Sequence, residues 1–171
     1  MTTTTTADGR PRSNARTPRS YTRTGAPAAS TPGVRSRMQS QKARDTAPEL
    51  AVRRLLHADG LRYRVDRAPL PGLRRRADVI FGPARVAVYI DGCFWHGCPE
   101  HGTRPRTNSD WWLRKLDANR ARDADTDRRL TEAGWAVLRA WEHEDPRSVA
   151  DRVGALVAST SRRPTTPRRA A

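Results

Sequence analysis

Long apolar runs and acidic residues are both scarce in this chain. Only 36% of the 171 residues are hydrophobic, and no stretch approaches the roughly 20 apolar residues of a membrane-spanning helix. This argues against an integral membrane protein. The threonine-rich start carries no apolar core of a secretory leader, so export is not expected. Cysteine is limited to two residues, Cys93 and Cys98. That excludes a disulfide scaffold, and the four-residue gap suits a metal better than a bridge. With 18 acids against 33 Lys+Arg, the chain has a formal charge of +15, which calls for an anionic partner, most simply nucleic acid.

The charge is unevenly placed. Residues 1–38 hold seven Arg and one acid, Asp8, among Thr, Ser, Pro and Gly, while residues 159–171 hold four Arg and no acid. Both ends read as disordered basic arms that bury too little apolar surface to offset chain entropy. The interval 39–158 carries 22 basic and 17 acidic residues and reads as one folded domain of ordinary size.

Within that domain, Thr46-Ala-Pro-Glu49 has the form of a capping box before a helix that Gly60 ends. A short strand is expected at Leu61–Val65. Strands at Ala77–Phe81 and Val86–Ile90, joined across Gly82-Pro83, form a hairpin. A Gly-, Pro-, Cys- and His-rich loop covers 91–108, a long helix covers about 109–133, a fourth strand runs Trp135–Trp141, and a last helix follows Asp145-Pro146. The order α-β-β-β-α-β-α predicts a three-layer or mixed-sheet α/β domain.

On the long helix Trp112, Leu116, Asn119, Asp123 and Leu130 fall within an arc of about 60° at 100° per residue. Asn119 and Asp123 therefore point inward with the hydrophobes. A buried carboxylate needs a partner: either a core Arg in a structural ion pair, or a histidine or metal in a site. The loop Asp91-Gly-Cys-Phe-Trp-His96-Gly-Cys-Pro-Glu-His101 supplies a histidine. Cys93, Cys98, His101 and His143 make a Cys₂His₂ set suited to closed, structural zinc. His96 is a fifth candidate for the four seats. If it is not a ligand, it is free for acid–base work, oriented by Asp123. Phe94 and Trp95, with Trp112 nearby, are either core aromatics or a wedge that enters a base step. Asp78 is either a salt-bridge partner of the preceding arginines or a Mg²⁺ ligand, with Glu49 as a second, water-mediated anchor.

Taken in order, Arg44-Asp-Thr46 with Glu49, Leu70-Pro-Gly72, Ala77-Asp78-Val79, Gly92-Cys-Phe-Trp-His96, Trp112-Leu113 with Asn119 and Arg122-Asp123, Gly134-Trp135 and Trp141-Glu142 resemble the very short patch repair (Vsr) endonucleases. The resemblance covers about Arg44 to Val157. It implies a restriction-endonuclease-like fold and a Mg²⁺-dependent nick 5′ to the thymine of a T:G mismatch, the product of 5-methylcytosine deamination. It further implies Asp78 and the backbone carbonyl of Ile90 as Mg²⁺ ligands, His96 as general base, Asp123 as its partner, and Glu49 and Asn119 as holders of metal-bound water. Phe94, Trp95 and Trp112 match the intercalating wedge. The zinc set differs, with His143 where other members carry Cys, and Asp91 stands where some carry a second histidine, so Asp91 is a further candidate at the metal. The expected partners are mismatched double-stranded DNA and downstream mismatch-repair proteins. A monomer in the cytoplasm, on the nucleoid through DNA, is expected. Two other readings remain: a double-strand restriction nuclease of the same fold, which would normally be a symmetric dimer, and a non-catalytic zinc-stabilised DNA-binding module.

Overall fold

A computed structural model describes residues 31–33, 35–36, 44–103 and 105–161. Most of the two basic arms therefore lies outside the described residues. Within the N-terminal arm, one helical turn is closed by Arg35 N–H donating to the Thr31 carbonyl.

Four helices and four strands follow: α1 (Ala47–Ala58), β1 (Arg64–Arg67), β2 (Ala77–Phe81), β3 (Val86–Asp91), the single turn α2 (Cys93–His96), α3 (Ser109–Glu132), β4 (Ala136–Trp141) and α4 (Pro146–Ser161). The strands lie in the order β1-β2-β3-β4. The first three are antiparallel, whereas β4 is parallel to β3. A parallel pair needs a long crossover, and α2 and α3 provide it. The sheet is mixed and helix-flanked, as the element order predicts.

Each face of the sheet is covered, so β2 and β3 are largely apolar on both sides. Val79, Phe81, Val86 and Val88 pack with Val52 and Leu56 of α1 and Val149 and Val153 of α4. On the other face, Ile80, Ala87 and Tyr89 pack with Leu130 of α3 and with Leu73. Trp135 joins this second core.

Three local readings need correction. The first strand begins at Arg64 rather than Leu61, because Leu61 N–H still closes α1 by donating to Leu56 O. The capping box does not form: the Thr46 hydroxyl donates to Glu49 Oε1 rather than accepting from the helix. Glu49 Oε2 accepts from Asp45 N–H, one residue before the cap. Finally, the loop after β3 contains the turn α2, closed by Gly97 in the left-handed region at φ 68°. Gly97 N–H bonds to Cys93 O in that conformation, which suits a residue without Cβ.

Candidate active site and metal centre

The ends of β2 and β3 meet α2, α3 and α1 around a cleft of about 600 Å³, whose lining includes Glu49, Asp78, Ile90, Trp95, His96 and Asp123. These residues are scattered over nearly eighty positions of sequence, and the sheet register gathers them.

Asp78 is the second residue of β2. Its Oδ2 accepts the Ile90 N–H at 2.7 Å, which places the carboxylate beside the Ile90 backbone. Its Oδ1 takes no hydrogen bond from any described residue. Burial pushes this carboxyl up to about 6, against the Ile90 N–H, and the nearby charges of Glu49 and Asp91 push the same way. A desolvated carboxylate near two other acids is a place that could hold a cation. The donor set is all oxygen, which suits a hard ion such as Mg²⁺. The salt-bridge alternative has no support: none of the preceding arginines pairs with Asp78. Arg75 goes to Asp125 at 2.6 Å and Arg76 to Asp66 at 2.7 Å.

His96 ends α2 and meets Asp123 of α3, with Nδ1 to Oδ2 at 2.6 Å. Nδ1 facing a carboxylate is the donor, and Nε2 bonds no described residue. The arc drawn from sequence thus holds in part. Leu116, Asn119 and Leu130 are buried, while Asp123 is only partly so and faces the histidine.

Glu49 and Asn119 are each bonded to protein groups. Glu49 lines the cleft, yet its oxygens already accept from Thr46, Asp45 and Arg53, the last at 2.8 Å across a buried i,i+4 ion pair. Asn119 is buried and does not line the cleft. Its Nδ2 donates to the Trp95 carbonyl at 2.8 Å, so it secures the aromatic turn. Asp91 is also committed: both its oxygens lie 2.8 Å from Arg139 NH1, which argues against a seat at the metal.

Phe94, Trp95 and Trp112 form one cluster, with centroid separations of 5.1, 5.2 and 5.9 Å and steeply inclined planes. Trp111 extends it, 4.8 Å from Trp112. All four rings are half-buried, and Trp95 also lines the cleft. The rings pack on one another and keep part of their surface exposed, Trp95 beside the acids and His96.

A second centre lies at the other end of α2. Cys93, Cys98, His101 and His143 each bring a ligand atom within 4.8 Å of the others. His143 Nδ1 is 3.0 Å from Cys93 Sγ, and it comes from the turn after β4, so the set ties the crossover to the sheet. Burial and the neighbouring Cys98 push the Cys93 thiol up to about 11. Two crowded sulfurs and two imidazoles fit a tetrahedral soft-to-borderline ion, zinc above all. With His96 given to Asp123, the fifth candidate leaves the set.

Sequence reasoning missed Arg139 and Glu142. Glu142 Oε1 accepts the Cys93 N–H at 2.7 Å and pins the start of α2. Arg139 pairs with Asp91 and Asp127 from within β4. An Arg amid the apolar residues of a strand, with Asp123 and Asp127 one helical turn apart on the preceding helix, was the available signal.

The family described as DNA mismatch endonuclease Vsr matches residues 29–101. The chain is 44% identical over 133 residues to the type II nicking enzyme V.NaeI of Lentzea aerocolonigenes, covering 77% of this chain and 78% of that protein. It is 41% identical over 111 residues to V.XorIIP of Xanthomonas oryzae pv. oryzae, 63% and 77% of the two chains. To the DNA mismatch endonuclease Vsr of Escherichia coli K12 it is 39% identical over 106 residues, 61% and 66%.

Proposed function

Because the chain belongs to the Vsr family of DNA mismatch endonucleases, we propose that it nicks one strand of duplex DNA 5′ to the thymine of a T:G mismatch, by Mg²⁺-assisted hydrolysis of a single phosphodiester. The observation that carries this reading is the convergence, in one cleft, of a desolvated carboxylate and a histidine whose Nε2 bonds no described residue. The domain spanning 39–158 is the nuclease, and we read its mixed sheet as restriction-endonuclease-like.

Asp78 and the Ile90 carbonyl would hold Mg²⁺, with Glu49 behind them. The ion would neutralise charge that builds on the phosphoryl oxygens. His96 Nε2 takes a proton from the water that attacks phosphorus, and Asp123 stabilises the imidazolium that results. Phe94, Trp95 and Trp112 enter the duplex beside the mismatch. A mispaired step costs less to unstack than a paired one, so the wedge contributes discrimination. The Cys93/Cys98/His101/His143 centre, filled by zinc, holds α2 rigid between the wedge and the base. The basic arms and arginines add phosphate contacts without sequence preference, and the enzyme acts as a monomer in the cytoplasm, handing its nick to later mismatch-repair proteins.

The test is strand scission on end-labelled duplexes that differ only in one T:G or C:G pair, across a panel of flanking sequences, with and without Mg²⁺. One nick on the thymine strand, only with mismatch and metal, is the expected result. Cutting of both strands regardless of mismatch would mean a restriction nuclease instead. Tight binding with no cutting would leave a DNA-binding module.

A further inference from the structure

Arg139 sits in the middle of β4, paired in register with Tyr89 of β3, its guanidinium 4.6 Å above the Tyr89 ring. Its nitrogens serve different carboxylates. NH1 lies 2.8 Å from each oxygen of Asp91, Nε lies 2.9 Å from Asp127, and NH2 lies 3.5 Å from Asp123. Asp91 and Asp123 in turn share the same imidazole nitrogen: His96 Nδ1 is 3.5 Å from one and 2.6 Å from the other. Asp91 and Asp123 are largely withdrawn from water, at 9% and 18% side-chain exposure. Two carboxylates so close in a low-dielectric setting repel strongly, and a buried ion left without its partner is costly. They can flank one imidazole because a single planar fork holds both.

We propose that Arg139 is a positioning residue for the hydrolysis proposed above, its guanidinium fixing Asp91 and Asp123 around His96 Nδ1 and thereby aiming Nε2 at the attacking water. The inference rests on that functional reading. It goes beyond charge balance, because the fork joins the end of β3, two turns of α3 and the centre of β4 at the imidazole. Lysine has the charge but not the fork, and cannot serve three carboxylates from a planar array. A base displaced by about 1 Å loses on the order of 10²-fold in rate.

The test compares the full-length wild type with Arg139→Met, Asp91→Asn and the double variant, all zinc-replete. Single-turnover nicking at saturating mismatched duplex, duplex Kd, and the imidazole N–H proton of His96 by NMR are measured. Arg139→Met should lower the rate about 10²-fold, with Kd changed by less than about threefold and the downfield Nδ1–H resonance lost. Asp91→Asn in that background removes one of the two repelling acids, and should recover about tenfold and restore the resonance, a non-additive cycle. Wild-type rate in Arg139→Met, or costs that simply add, overturns the proposal. If Arg139→Met does not fold, Arg139→Lys replaces it: a deficit of about tenfold with a displaced resonance is expected, and wild-type values for both overturn it. If the wild type itself nicks no mismatched duplex, the functional reading fails. The resonance then still decides whether Arg139 holds the imidazole.

Discussion

Replacing Asp78 by Asn should stabilise the Mg²⁺-free protein while abolishing its nuclease. The Asp78 carboxyl lies near 6 in the fold, against an ordinary value of 3.8. Between those values the folded chain binds more protons than the unfolded chain, so stability falls as pH rises through the window. At about 1.4 kcal/mol per pH unit of displacement, the ionised carboxylate costs about 1.5 kcal/mol at pH 5 and about 3 kcal/mol at pH 7.5. Asn keeps an acceptor for the Ile90 N–H but carries no charge. Part of the gain is lost because that hydrogen bond is no longer charge-assisted, by about 1 kcal/mol. The net expectation is a variant about 2 kcal/mol more stable at pH 7.5, with the advantage shrinking towards pH 5. Urea unfolding in zinc-replete, Mg²⁺-free buffer at the two pH values measures it. Millimolar Mg²⁺ should then raise the stability of the wild type and leave Asp78→Asn unmoved. A variant less stable than wild type at pH 7.5 would show that the carboxylate is already satisfied, and the argument for a cation there would collapse.

Other outcomes follow from the same geometry. His96→Ala should lower nicking by 10²–10⁴-fold, about the size of a lost general base, with mismatched-duplex binding retained in a gel-shift assay; a fall in affinity of equal size would instead make His96 a DNA contact. Cys98→Ser, or stripping zinc with a strong chelator, should lower the thermal midpoint by ten degrees or more, since metal binding adds directly to folding free energy; zinc content by atomic absorption should fall together with it. Trp95→Ala should weaken binding to a T:G duplex by about 1–3 kcal/mol, and more than it weakens binding to a polyanion without bases such as heparin. Asn119→Ala leaves the Trp95 carbonyl without its donor and should cost about 1–3 kcal/mol of stability, checked by urea unfolding, with a smaller loss in nicking than His96→Ala.

The chemistry-bearing residues were visible in the sequence because their surroundings made them odd. Asp123 shares a helical arc with Leu116 and Leu130, and helical periodicity alone turns it inward towards a partner. Cys93, Cys98 and His101 are close in sequence, so local chain geometry brings them together whatever the rest of the fold does. The alternation in Val86, Val88 and Ile90 made β3 legible, and glycines 60, 97 and 134 mark element ends through positive φ. Glu49 and Asn119 were legible as polar residues of the site region but not in their partners, since Arg53 and the Trp95 carbonyl compete for them and only packing decides that contest. Arg139 was passed over because strand periodicity says which face a residue takes, not what waits on that face.

By itself the sequence determined the element order, the Cys₂His₂ set, the turn of Asp123 towards a partner and the excess of positive charge, all consequences of spacing and composition. The tertiary structure decided the pairings across long separations. Parallel register between β3 and β4 sets Arg139 beside Tyr89, the crossover through α2 and α3 gives His96 to Asp123 rather than to the Cys₂His₂ cluster, and burial in β2 turns Asp78 from an ordinary acid into one with a raised pKa. These depend on which groups lose water together, and desolvation is a property of the packed fold rather than of any segment of the chain.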